Sequence, residues 1–202
     1  MHIAMKILFL SRWFPYPTNN GSKLRIYNLL KGMAPEHEIT LLTFADEPGA
    51  GAAAPELDAL CRRILVVPWR PFNPGSWRAR LGFLSFTPRS VVDTYSLEMR
   101  QHIERELATG QYDLIVASQW LMASYQPYFG AVPALFEEVE VGLHYQQYEE
   151  ARALPERLRL GMSWAKHRFY IARLLKRFQA STVVSGEEKW LLGQIAPKDS
   201  TV

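Results

Sequence analysis

Two periods of apolar spacing take turns along this chain and predict its elements. Lys6-Ile7-Leu8-Phe9-Leu10 has no polar residue inside its apolar run, the pattern of a strand buried on both faces of a sheet. Ser11 to Asn20 holds two prolines and two asparagines, which stop any regular element. After Gly21-Ser22, apolar residues return at Leu24, Ile26, Leu29, Leu30 and Met33, the spacing of a helix with one buried face. Glu36 to Phe44 predicts a second strand, Glu56 to Arg63 a short helix, and Ile64 to Val67 a third strand stopped by Pro68. Pro48 to Pro55, rich in Gly and Ala, reads as a surface loop.

Tyr95 to Thr109 has helical spacing and ends at Gly110, a C-cap candidate. Tyr112 to Ala117 is the fourth strand and Leu121 to Tyr128 a short helix. The fifth strand starts at Pro133 and runs through Ala134-Leu135-Phe136 into Glu137-Glu138-Val139-Glu140. Gly142 to Arg152 is a polar helix or loop, and beyond Pro155 a long helix spans Arg157 to Phe178. Gln179 to Ser185 is the sixth strand, with Ser185 capping a last helix that opens at Gly186. Strands separated by helices predict βαβ units: an α/β, Rossmann-like parallel sheet of about six or seven strands with helices on both faces.

Composition narrows the function classes. The 202 residues are 48% hydrophobic and 21% charged, enough for a sizeable core. A net charge of +3 is too weak to imply nucleic acid, yet suits anionic substrates or an anionic membrane surface. The single cysteine, Cys61, allows no internal disulfide and no cysteine metal site, which implies a reducing, cytoplasmic setting. His144 lacks a partner at metal-ligand spacing, so no metal is implied. The apolar run Ile7 to Leu10 is too short for a signal peptide, and no window reaches a membrane span.

Three stretches carry candidate chemistry. Asn20, Gly21, Ser22 and Arg25 open the first helix, where unpaired N–H groups and the helix dipole favour a phosphate, and Gly21 has no Cβ to hold it off. Glu137, Glu138 and Glu140 end the fifth strand, where Glu138 or Glu140 would accept hydrogen bonds from ligand hydroxyls; an exposed acidic turn, or salt bridges to Arg12, Arg25 or nearby lysines, is the alternative. Trp69 to Arg89 interleaves Trp69, Phe72, Trp77, Phe83 and Phe86 with Arg70, Arg78, Arg80 and Arg89, on a short helix from Ser76 to Phe86. That mixture suits either a bilayer interface or a core with a solvated basic rim.

The wording of these stretches resembles a family. K-I-L-F-L-S-R-W-F-P-Y-P-T-N-N-G-S-K-L-R followed by H-E-I-T-L-L-T-F resembles the opening of the group 1 (family 4) retaining glycosyltransferases of the GT-B fold, with Asn20-Gly21 for their Gly-Gly. Y-D-L-I-V-A resembles a family strand that ends in a histidine; here Ser118-Gln119-Trp120 follow, left to contact the sugar or acceptor. P-A-L-F-E-E-V-E-V-G resembles the family's P-V-V-L-D-E-H-N-V-E.

The resemblance implies that residues 1–202 form the N-terminal, acceptor-side half of a GT-B enzyme, with the donor-binding domain absent from this chain. It also implies a hexosyltransferase of polysaccharide or glycolipid biosynthesis, inactive without its donor domain. The donor would be a nucleotide-diphosphate sugar and the acceptor a sugar or lipid-linked molecule. No cofactor is implied, and the site would be cytoplasmic, peripheral on the inner face of the plasma membrane. A nucleotide-sugar 2-epimerase and a non-catalytic Rossmann-like binding module share the same fold expectation.

Overall fold

The computed structural model describes residues 4–45 and 54–196. The expected loop at Pro48 to Pro55 lies almost wholly outside the described residues, as does the tail after Ala196. Six strands form one sheet in the order β3-β2-β1-β4-β5-β6. They are β1 (Lys6–Ser11), β2 (Glu38–Ala45), β3 (Arg63–Pro68), β4 (Leu114–Ser118), β5 (Ala134–Glu137) and β6 (Ala180–Ser181). β1 runs parallel to β2, with Ile7 opposite Ile39, and parallel to β4, with Ile7 opposite Leu114. Strand order therefore reverses between β1 and β4, the place where open parallel sheets bind ligands at their carboxyl ends.

The helices are α1 (Gly21–Met33), α2 (Pro55–Asp58), α3 (Trp77–Leu81), α4 (Arg89–Thr94), α5 (Leu97–Thr109), α6 (Gln119–Ala123), α7 (Gly142–Glu150), α8 (Leu154–Leu175) and α9 (Gly186–Gly193). The chain divides into two compact units, Met1–Trp69 with Ser96–Leu135, and Arg70–Tyr95 with Phe136–Val202.

The core of the first unit follows the strand period. Ile7 and Phe9 join Ile26 and Leu30 of α1, Ile39 and Leu41 of β2, Leu57 and Val116 in one buried cluster. Leu8 and Leu10 are equally sealed, so β1 is buried on both faces as its composition demands. Burial of Ile26 and Leu30 stabilises by about 1.5–3 kcal/mol each, which anchors α1 beneath its own loop.

Several expected boundaries moved. The helix expected over Glu56 to Arg63 stops at Asp58, because Arg62 already donates its N–H to Ile39 as β3 begins. The helix over Ser76 to Phe86 is α3 plus a 3-10 turn at Gly82–Leu84, after which Ser85 turns extended. α4 was not foreseen. Gly110 ends α5 in an extended conformation, not the left-handed one; it is glycine because a Cβ would come within 2.6 Å of the Tyr112 ring. The helix over Leu121 to Tyr128 begins two residues earlier and splits into α6 and a 3-10 turn at Gln126–Tyr128. Pro155 does not precede α8 but sits in its first turn, where a missing N–H costs nothing. The sixth strand shrinks to two residues.

Candidate functional site

In the first unit, β1 ends in a tight turn: Ser11 Oγ accepts the Trp13 N–H at 3.1 Å and donates to the Trp13 carbonyl at 2.6 Å. Arg12, almost buried, then lays its guanidinium over the rings of Trp69 (3.4 Å to the centroid) and Trp13 (4.4 Å). Trp69 in turn packs edge-on against Phe44 of β2. Such stacked cation–aromatic contacts stiffen the strand end on which the loop to α1 is mounted.

The start of α1 comes next. Asn20 is its N-cap, and its Oδ1 accepts the Lys23 N–H at 2.9 Å, so this side chain serves the helix. Gly21 is exposed, and a Cβ there would meet nothing within 4 Å. No acidic residue lies in the first turn. The N–H groups of a first turn have no intrahelical acceptors, and no carboxylate of that turn counters their charge. Arg25 lies one turn further in and is half-buried.

β4 delivers its carboxyl end to the same place. Ser118 is fully buried, while Gln119 and Trp120 are half-buried at the head of α6. Gln119 has φ +66°, a left-handed backbone uncommon outside glycine, and its Nε2 donates to Ser22 Oγ at 3.2 Å. The switch point between β1 and β4 is thus tied by a side-chain bond between the α1 start and a strained strand end. Of the residues singled out in the sequence, this joins Ser22 to Gln119.

The second unit holds the acidic stretch. Glu137 and Glu138 are buried and Glu140 is exposed. Glu138 also has a left-handed backbone, φ +57°, and its N–H donates to Thr182 Oγ1 at 3.2 Å. Partial desolvation, then the neighbouring Glu188 carboxylate, pushes the Glu140 carboxyl above its ordinary range.

Glu188 is a structural partner of this stretch that sequence reading missed. Its two oxygens accept the N–H groups of Val141 (2.9 Å) and Gly142 (3.0 Å), capping α7 from a distant helix. The spacing Ser185-x-x-Glu188 reads as a capping box, and half of it forms: Ser185 Oγ accepts the Glu188 N–H at 3.1 Å. The glutamate then reaches across to α7. His144 and His167 lie against each other with ring centroids 4.2 Å apart and planes tilted by 54°.

A cleft of about 440 Å³ lies at the opposite, amino end of β1 to β3. Four of its charged side chains are paired with each other, Arg62 with Glu38 at 2.5 Å and Arg63 with Glu106 at 2.9 Å.

Neither a family model nor a curated relative matches this chain. Solved structures do. UGT71G1 of Medicago truncatula, complexed with UDP-glucose, superposes with a TM-score of 0.56 at 14% identity, over 96% of this chain and 50% of that one. UGT2 of Phytolacca americana, complexed with UDP-2-fluoro-glucose and pterostilbene, gives 0.56 at 8% identity, over 100% and 53%. A UGT transferase from Siraitia grosvenorii, in complex with UDP, gives 0.50 at 11%, over 93% and 47%. At such identities the likeness is one of fold: the chain has the architecture of one half of a GT-B fold, and it spans about half the length of these neighbours.

Proposed function

We propose that this chain is the acceptor-side half of a nucleotide-sugar-dependent, retaining glycosyltransferase acting in polysaccharide or glycolipid synthesis. The observation that carries the reading is the Ser22–Gln119 bond at the sheet's switch point, beside the open amino end of α1. The three neighbours that share this fold were solved with UDP or a UDP-sugar.

In this reading the backbone at Gly21 and Ser22 approaches the donor diphosphate, and Arg25 adds positive charge one turn on. The bond between anomeric carbon and diphosphate oxygen breaks, its electron pair leaving with the nucleoside diphosphate. The acceptor hydroxyl bonds to the same face of that carbon and gives its proton to a phosphate oxygen, so no dedicated protein base is required. Of the two acids offered for sugar or acceptor hydroxyls, Glu140 is exposed, with its carboxyl raised above the ordinary range by partial burial and then by Glu188, while Glu138 is buried. Gln119 and Trp120 contact the sugar or acceptor. A donor-binding half closes over the site and excludes water.

The test is turnover of a nucleotide-sugar panel by the protein together with its donor-binding half, with and without Gly21→Val. Added bulk at Gly21 meets open space in the fold but blocks the diphosphate, so turnover falls roughly a hundredfold if one preorganised contact set is lost. Unchanged turnover refutes the loop's role, and epimerised donor without transfer assigns an epimerase instead.

A further inference from the structure

Where the family it resembles has a glycine pair, this chain has Asn20-Gly21, and an asparagine followed by glycine has a chemistry of its own. Glycine offers the side-chain amide before it an unhindered backbone nitrogen, because no Cβ shields the approach. The chain holds four asparagines, and only Asn20 has that neighbour. Asn19 is followed by Asn20, which brings a Cβ. Asn28 sits within α1, where the next N–H belongs to the helix ladder, and Asn73 precedes Pro74, whose nitrogen has no proton to lose.

The fold adds to this at Asn20. Its Oδ1 accepts the Lys23 N–H at 2.9 Å, which polarises the side-chain carbonyl and stands ready for negative charge on that oxygen. The Gly21 N–H, first in α1, has no intrahelical acceptor, and the positive end of the helix dipole favours loss of its proton. No acidic residue of the first turn opposes that effect. Both residues are exposed and the space around Gly21 is open, so the backbone of Asn20 can turn from its extended ψ of 168° to bring nitrogen and carbon together.

We propose that Asn20-Gly21 is a self-modifying site: the native chain cyclises there, loses ammonia and ends with a carboxylate at residue 20. The Gly21 nitrogen gives up its proton and bonds to Asn20 Cγ. The Cγ–Nδ2 bond breaks, and the side-chain nitrogen departs with that proton as ammonia. Water, the co-reactant, then opens the cyclic imide at either carbonyl, giving aspartate, or isoaspartate with its extra backbone methylene. Either product sets a negative charge against the first-turn N–H groups, and the isoaspartyl form also lengthens the chain at the cap. Conversion therefore closes the anion-favouring start of α1 as the protein ages. That last consequence rests on the diphosphate site proposed above; the cyclisation does not.

The experiment incubates the 202-residue chain under native conditions in mildly acidic and mildly alkaline buffer, then maps its peptides by mass spectrometry. The mass gain of deamidation should appear at Asn20, rise with pH and include isoaspartate, read by labelling with an isoaspartyl methyltransferase. Asn19, Asn28 and Asn73 should stay unchanged. Gly21→Ala should keep the fold and slow the change by roughly tenfold or more, through the added Cβ. An unconverted Asn20 in the native chain, when the same chain in urea converts, would show that the cap locks the residue and would overturn the proposal. Aspartate without isoaspartate would overturn it too, since direct hydrolysis bypasses the imide, and so would an undiminished rate in Gly21→Ala. Aged protein, paired with its donor-binding half, is then titrated with nucleotide sugar. Binding that weakens in proportion to conversion supports both readings, whereas full conversion with unchanged binding upholds the cyclisation and removes the diphosphate from the start of α1.

Discussion

Gln119 and Ser22, 97 residues apart, meet through one hydrogen bond of 3.2 Å. That bond couples the end of β4 to the start of α1, and Gln119 holds a left-handed backbone to make it. The conformation and the contact separate by substitution. Gln119→Gly relieves the backbone strain and loses the bond, two effects of about 1 kcal/mol each that nearly cancel in urea denaturation. Gln119→Val keeps the strain, adds branching and loses the bond, and should cost about 2 kcal/mol. Under the proposed function, both variants should raise KM for the nucleotide sugar. A rise confined to the valine variant would mean that only the fold, and not the Ser22 contact, matters.

Asn20 contributes through its side-chain oxygen. Asn20→Ala should lower stability by about 1 kcal/mol, and Asn20→Asp should keep the cap while adding negative charge beside the first-turn N–H groups. Aspartate at this position then competes with an incoming phosphate. Urea midpoints and a nucleotide titration together distinguish the two, since the aspartate variant should be stable but weak in binding.

Glu188 and Gly142 form a second coupled pair. A Cβ at residue 142 would lie 2.7 Å from Glu188 Oε1, so Gly142→Ala must displace the carboxylate from its two N–H donors. Glu188→Ala and Gly142→Ala should each cost about 1–3 kcal/mol, and the double variant little more than either alone. Removing Glu188 also removes a charge that raises the Glu140 carboxyl, whose titration, followed by NMR, should move down.

The paired histidines give the fold an acid-side limit. Burial, then the neighbouring His144, pushes His167 down to about 3, and burial alone lowers His144. The unfolded chain binds these protons near pH 6.5, at about the ordinary histidine value. Stability is therefore fully present above about pH 6.5 and is lost as pH falls toward about 3, because the unfolded state takes up protons first. The urea midpoint of the parent should drop steadily over that range. His167→Met should flatten the dependence, and an unchanged slope would show that carboxylates dominate it.

The sheet was legible because buried parallel strands write themselves as apolar runs, as at Ile7 to Leu10 and Leu114 to Ala117. The start of α1 was legible too, because Asn20 caps it locally. Contacts between distant segments were not. Glu188 looks like a local capping-box glutamate, and only the fold brings Val141 and Gly142 to it. The run from Trp69 to Arg89 looks uniform, but its first aromatic packs with β2 while its later ones face outward. Ser118 follows the same rule, since a strand's last residue can be sealed while the next two are half-open. The end of α2 was missed because pairing with β2 overrides short-range helix preference.

At Gly21 the empty space around the absent side chain separates two kinds of demand on a single codon. The chain's own packing accepts almost any residue there, so a library at this position sorted for soluble, protease-resistant protein should return a broad alphabet. The same library sorted for product formation should narrow to glycine and its smallest substitutes. The gap between the two alphabets measures what the visiting molecule requires of this chain.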